Sequence, residues 1–347
     1  MTALLELRHV TKTFQRGVFN RRQTVAVENF SFVVNTEPAS ITAVVGESGS
    51  GKTTLARIML GVAAPTQGEV LYNGKDLRTL TREERRTFRR EVQIIFQDPF
   101  DVYNPFYKVD HVLDVPIGKF GLAHSQPEKR ALAEQALKTV GLRPEETLGR
   151  YPHQLSGGQR QRIMVARALL LKPKLIIADE PVSMIDASSR ATVLANLRQL
   201  NQEFGISIIY ITHDLTTAYQ ISENIIVLYA GSVAEIGTVE LVVNQPRHPY
   251  TQLLIGSIPL PDPTRHWKPD GQAAQATVSP PGQSGCKFAV RCPHVMPKCQ
   301  TKTPPLYRTN AHQFTACYLH ESASPVSEVE IASDFSSSTS AAGLQPS

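Results

Sequence analysis

Between residues 46 and 53 the chain reads GESGSGKT, directly after the apolar run ITAVV and directly before TTLARIML. The stretch satisfies the spacing G-x-x-x-x-G-K-[ST], and its context of strand, small-residue loop and helix is the one that phosphate-cradling loops require. Small residues at Gly46, Ser48, Gly49, Ser50 and Gly51 let successive backbone N–H groups curl around phosphate oxygens. The following helix directs its positive end at the same point. In this pattern Lys52 reaches the β- and γ-phosphates and Thr53 offers its hydroxyl to Mg²⁺, with Glu47 inside the stretch and Thr54 next after it as further candidates. The plain alternative is a glycine-rich turn in another doubly wound protein.

The surrounding pattern suits such a loop. Up to about residue 235, β-branched runs (SITAVVG, VQIIFQ, KLIIAD, SIIYITH) alternate with amphipathic segments, which predicts an α/β domain. Asn73-Gly74 after the apolar GEVLY signals a hairpin and a small antiparallel element. From about 99 to 158 the chain is helix-rich, with Leu132, Ala136, Leu137 and Val140 at helical spacing. The expected fold is therefore an α/β P-loop NTPase core over 1–235, with a small antiparallel β subdomain and a helical insert. A small extension carrying four cysteines follows over 236–320, including a Pro/Gly/Gln/Ala-rich linker at 262–284. The segment 321–347 is rich in serine and poor in large apolar groups, and is predicted to be disordered.

Charge excludes little but supports little. Of 347 residues 36 are basic and 31 acidic, so the net charge of +5 gives nucleic-acid binding no support. The opening MTALLELRHVTKTF lacks the basic and apolar regions of a secretory signal, and no apolar run reaches the roughly 18 residues of a spanning helix. A cytosolic chain is expected, and there thiols stay mostly reduced.

Two further stretches carry chemistry. LIIADEP, residues 175 to 181, is a buried strand ending in Asp179 and Glu180, at the sheet edge where open α/β folds bind ligands. Asp179 suits Mg²⁺ binding and Glu180 suits a general base on water, although acidic pairs often only cap the next helix. In LSGGQRQRIMVARAL, from Leu155, Ser156 can cap a helix whose first turn is opened by Gly157 and Gly158. That turn, with Gln159, makes a second anion site. One nucleotide does not need two cradles in one chain, so the second is expected to serve a nucleotide held by another subunit.

Together these motifs resemble the ATP-binding cassette family, whose signature is LSGGQ, over roughly residues 4 to 236. The resemblance implies that Phe14 stacks on adenine and that Gln97 senses Mg²⁺ and communicates with membrane subunits. It further implies that Asp186 links two sites and that His213 contacts the γ-phosphate. The SMID around Asp186 departs from the commoner SALD. Catalytic roles fall on Glu180, His213 and Gln97, and Mg²⁺ ligation on Thr53, Gln97 and Asp179. Two such domains would close head to tail on two ATP molecules, the loop of one facing Ser156–Gln159 of the other.

RHPYTQLLIGSIP and GCKFAVRCP resemble the C-terminal region of ATPases of oligopeptide and dipeptide importers, extending the likeness to about residue 320. This implies a peripheral subunit on the cytoplasmic face. Its partners would be a second, similar ATPase as a heterodimer, two permease subunits and an external solute-binding protein, with no nucleic acid. PFDVYNPF, residues 99 to 106, stands where relatives dock the permease. Importers of nickel or oligosaccharide remain alternatives. A soluble cassette ATPase acting on ribosomes or DNA is a reading of another class, and a chain with one cassette and no long basic linker disfavours it.

All four cysteines, Cys286, Cys292, Cys299 and Cys317, follow the spacing C-x5-C-x6-C-x17-C. Zinc sites usually begin with a shorter C-x2-4-C clasp, whereas a [4Fe–4S] cluster takes one thiolate per iron over longer intervals. The resemblance points to the cluster; zinc, or no metal with buried or disulfide-linked thiols, stays open. A metal would staple a short proline-rich segment. His294, His312 and His320 are read as bystanders.

Overall fold

A computed structural model describes residues 3–16, 22–98, 102–258, 285–327 and 330–331. Its first strands are β1 (Ala3–Arg16), β2 (Arg22–Asn35), β3 (Ile41–Val45), β4 (Gln67–Tyr72), β5 (Lys75–Asp76) and β6 (Val92–Ile95). Next come β7 (Leu175–Asp179), β8 (Ser207–Thr212), β9 (Asn224–Tyr229), β10 (Ser232–Thr238), β11 (Tyr307–Asn310) and β12 (Gln313–Thr315). The chain divides into two compact units. Among the described residues no helix is long and apolar enough to cross a membrane.

One unit comprises Met1–Leu4, Val34–Ile41 and Tyr72–Thr212. Its sheet is the parallel set β6-β7-β8, with Val92 beside Leu175 and Ala178 beside Tyr210. Every residue of β7 and β8 is buried. That is why LIIAD and SIIYIT read as continuous apolar runs rather than alternating ones. The helix-rich stretch holds helices Asp110–Phe120 and Gln126–Thr139 and ends at the start of helix Gly157–Leu169, and the three pack on one another. Ser125 and Glu128 form a capping box that starts the second of them. The expected tight turn is present, with Asn73 and Gly74 at φ 48° and 79°, the left-handed pair a two-residue hairpin loop needs. Pro99, the first residue expected to dock a permease, and the two after it lie outside the described residues.

The other unit comprises Leu5–Val33, Thr42–Leu71 and His213–Ser347. It holds a small sheet in the order β2-β1-β4 and a second sheet in the order β11-β12-β10-β9-β3. In the second, β3 and β9 run parallel, while β9-β10, β10-β12 and β11-β12 are antiparallel. The boundary expected at residue 235 falls inside β10, because Glu235, Ile236 and Gly237 pair with Thr315, Phe314 and Gln313. The C-terminal segment thus extends this sheet by a hairpin. Phe314 is fully buried, and a Phe so placed contributes about 1.5–3 kcal/mol of burial.

Glu235 ties this region together. Its carboxylate is wholly buried and accepts from the N–H groups of Arg247 and His248, both at 2.9 Å, and from Nε2 of Gln313 at 2.7 Å. Burial pushes its carboxyl up, against the pull of these donors. Residues 321–327, read from sequence as the start of a disordered tail, run beside β11: Arg308 N–H donates to the Ser324 carbonyl and Val326 N–H to that of Leu306. Backbone pairing needs no large apolar side chains, so composition did not signal it. The linker at 262–284 and the tail beyond 331 lie outside the described residues.

Candidate functional site

The loop 46–51 leads directly into helix Lys52–Met59. That helix has no side-chain cap and no acidic residue in its first turn, the arrangement in which a helix start favours negative charge. Gly51 sits at φ 103°, and a Cβ there would lie 2.2 Å from the Ala26 carbonyl oxygen, so only glycine fits. Lys52 is buried, its Nζ donating to the carbonyls of Gly46 at 2.7 Å and Glu47 at 3.0 Å. Ser48, Gly49 and Thr53 are exposed, Ser50 is buried, and Thr54 is half-buried. Phe14 is 46% exposed, with the Lys12 ammonium 5.3 Å from its ring centre.

Sequence reasoning missed two residues here. Tyr250 accepts the Glu47 N–H on its hydroxyl at 2.9 Å, and Arg291 donates to both Glu47 carboxylate oxygens at 2.8 and 3.0 Å. Neither carries a local signal: the partners lie 203 and 244 positions away.

In the unit containing β7, Asp179 is buried at the strand end and Glu180 follows at φ 47°. A left-handed Glu is a strained position of the kind that persists at functional sites. Its N–H donates to the Ile211 carbonyl at 2.8 Å, and its carboxylate accepts from Gln97 Nε2 at 3.0 Å. The candidate base and the loop glutamine therefore meet directly. Ser156 caps helix Gly157–Leu169 in a reciprocal box, its Oγ accepting from Gln159 N–H and its own N–H donating to Gln159 Oε1. Gly158 has a second reason to be glycine: a Cβ would fall 2.4 Å from Ser189 Oγ and 2.5 Å from Ser189 Cβ. Asp186 caps helix Ala187–Phe204, accepting from Ser188 Oγ and Ser189 N–H, which hold its carboxyl well below the usual range. His213, in the other unit, is exposed just ahead of Asp214, which caps helix Leu215–Ile221.

Comparison with known proteins fits these motifs. A family profile described as ABC transporter matches residues 27–183. The protein of Bacillus subtilis described as "Putative oligopeptide transport ATP-binding protein YkfD" is 38% identical over 92% of this chain and 96% of its own length. The chain belongs to the ABC transporter family. This ABC ATPase is also 40% identical to the probable peptide ABC transporter ATP-binding protein y4tS of Sinorhizobium fredii, over 91% of this chain and 90% of that one. Its residues 234–299 match the profile described as oligopeptide/dipeptide transporter, C-terminal region. Among solved structures it is similar to the ATP-binding cassette MJ0796 in a dimeric, post-hydrolysis state with ADP and phosphate. That likeness has a TM-score of 0.60 at 32% identity, covering 68% of this ABC ATPase and 98% of that chain.

The four cysteines of this ABC ATPase are free thiols lining one small apolar cavity with His248, Phe288 and Met296. Backbone N–H groups of Phe288 and Ala289 serve the Cys286 sulfur, that of His294 serves Cys292 and that of Leu319 serves Cys317. Burial pushes the thiols of Cys286, Cys292 and Cys317 up, the last to about 11. Among the described residues no three His, Cys, Asp or Glu side chains converge closely enough to hold one metal ion. A metal is supported by the donor chemistry of the thiols.

Proposed function

We propose that this ABC ATPase is the ATP-hydrolysing motor of a membrane importer for oligopeptides or dipeptides. The observation that carries the reading is the joining, in one chain, of the cassette motifs to a region matching the oligopeptide/dipeptide transporter C-terminal description. In this reading Gly46–Thr53 holds the phosphates, Phe14 stacks on adenine and His213 meets the γ-phosphate. Glu180, oriented by Gln97, takes a proton from the attacking water. Thr53, Gln97 and Asp179 hold Mg²⁺, which neutralises phosphate charge. Ser156, Gly157, Gly158 and Gln159 cover the nucleotide of a partner ATPase, with Asp186 linking the two sites.

The partners proposed are a second, similar ATPase in a heterodimer, two permease subunits and an external solute-binding protein, with the chain on the cytoplasmic face. Phe106 supports permease docking, being 87% exposed. A cavity of about 790 Å³, lined by Val102, Arg86, Val115 and Phe120, supports it further. The test is ATPase activity of the reconstituted importer. Stimulation by the binding protein loaded with peptide is expected; stimulation by nickel or oligosaccharide loading alone would transfer the reading to those importers.

For Cys286, Cys292, Cys299 and Cys317 we propose a [4Fe–4S] cluster acting as a staple. Four thiols around one cavity, with backbone N–H groups at the sulfurs of Cys286, Cys292 and Cys317, support the reading. Brown protein with about four irons per chain after anaerobic purification is expected; colourless, iron-free protein removes it.

A further inference from the structure

Glu47 is held at every polar group it has. Its N–H is taken by Tyr250, its carboxylate by Arg291, and its carbonyl by Lys52 Nζ and the Ser50 N–H. The first two holders come from the C-terminal half of the chain. Arg291 is itself fixed, its guanidinium 5.7 Å from the Tyr229 ring centre and 5.6 Å from that of Phe288. Phe288 is buried and stands edge-on to Tyr229 at 5.2 Å, and Tyr229 packs on Tyr250 at 4.6 Å. Arg291 and Phe288 both lie on the turn that runs from Cys286 to Cys292.

We propose that Arg291 and Tyr250 are positioning residues for the phosphate loop, through which the cysteine-bearing turn sets the affinity for MgATP. The inference rests on Gly46–Thr53 being the phosphate-binding stretch. A loop that must turn several of its N–H groups toward one anion loses conformational freedom when it binds. Fixing Glu47 beforehand removes part of that cost, which raises affinity without a new contact to the nucleotide. The aromatic cluster makes the clamp rigid, so anything that orders the cysteine turn also orders the loop. A purely structural role would instead anchor the C-terminal segment and leave nucleotide affinity alone.

The experiment is a fluorescent-nucleotide titration and a steady-state ATPase assay on the full-length chain, with circular dichroism and thermal midpoints as folding controls. Arg291→Ala and Tyr250→Phe are expected to weaken MgATP binding roughly tenfold, the scale of one hydrogen bond, raising KM while kcat stays near the parent. Arg291→Lys should recover part of the loss, and the charge swap E47R/R291E should bind more tightly than either single variant. If Arg291→Ala fails to fold, Tyr250→Phe and Arg291→Lys carry the test. Parent-like affinity in folded Tyr250→Phe and in the folded Arg291 variants overturns the proposal. Lys52→Ala separates the two readings: if it binds MgATP like the parent, the phosphate-loop assignment fails, and with it the basis of this inference.

Discussion

Arg291 grips the Glu47 carboxylate through both terminal nitrogens, at 2.8 and 3.0 Å, across 244 positions of chain. The guanidinium side chain is only 17% exposed and lies against two aromatic rings. Bidentate geometry of this kind adds orientation as well as energy. The pair differs from exposed surface pairs such as Arg143–Glu146, at 74% and 53% exposure, where solvent leaves little net gain.

Glu180→Gln keeps the shape of the side chain and removes its proton affinity. Phosphate release is expected to fall by about 10²–10⁴-fold, the usual contribution of a positioned base, while ATP binding is retained. An unchanged turnover rate would take Glu180 out of that role. Gln97→Ala tests the orienting contact: it should lower kcat by less, since the base itself remains.

Gly158→Ala should destabilise the chain by about 1–3 kcal/mol, because a methyl group is forced into Ser189. Chemical denaturation reads the loss. Adding Ser189→Gly removes the obstructing Oγ and Cβ, so the double variant is expected to recover part of the midpoint. Additive losses in the double variant would show that the clash is not the cause.

Glu235→Ala leaves the amides of Arg247, His248 and Gln313 buried without their acceptor. The cost is about 3 kcal/mol in urea unfolding, with faster protease cleavage between 285 and 327. Glu235→Gln, which keeps one acceptor oxygen, should lose less. Equal stability of all three proteins would contradict the hub seen in the structure.

Asp186 gives a pH-dependent signature. Its carboxyl titrates lower in the folded chain than the ordinary 3.8, because Ser188 and Ser189 hydrogen-bond the charged form. The stability it adds is therefore present above that ordinary value and is lost as pH falls through the depressed folded one. The gap in denaturant midpoint between the parent and Asp186→Ala should be widest near neutrality and should shrink on acidification below pH 3.8. A gap that stays constant with pH would point to backbone effects of the substitution instead.

Much of the chemistry is legible in the linear chain because it is local. GESGSGKT needs its glycines within eight positions, LIIADEP announces a buried parallel strand by its unbroken apolar run, and Ser156 and Gln159 are spaced for a reciprocal cap. Hydrogen-bonded loops, caps and strand patterns are properties of neighbours, so spacing alone determined them. Long-range packing decided the rest. No periodicity links Tyr250 and Arg291 to Glu47, none places Gly158 against Ser189, and none shows that Glu235 is buried under three donors. The C-terminal segment reads as an appendage, yet β12 pairs with β10 and its cysteine turn reaches the phosphate loop. Which side chains meet across hundreds of positions depends on strand order and on the filling of a core, and those exist only once the chain has folded.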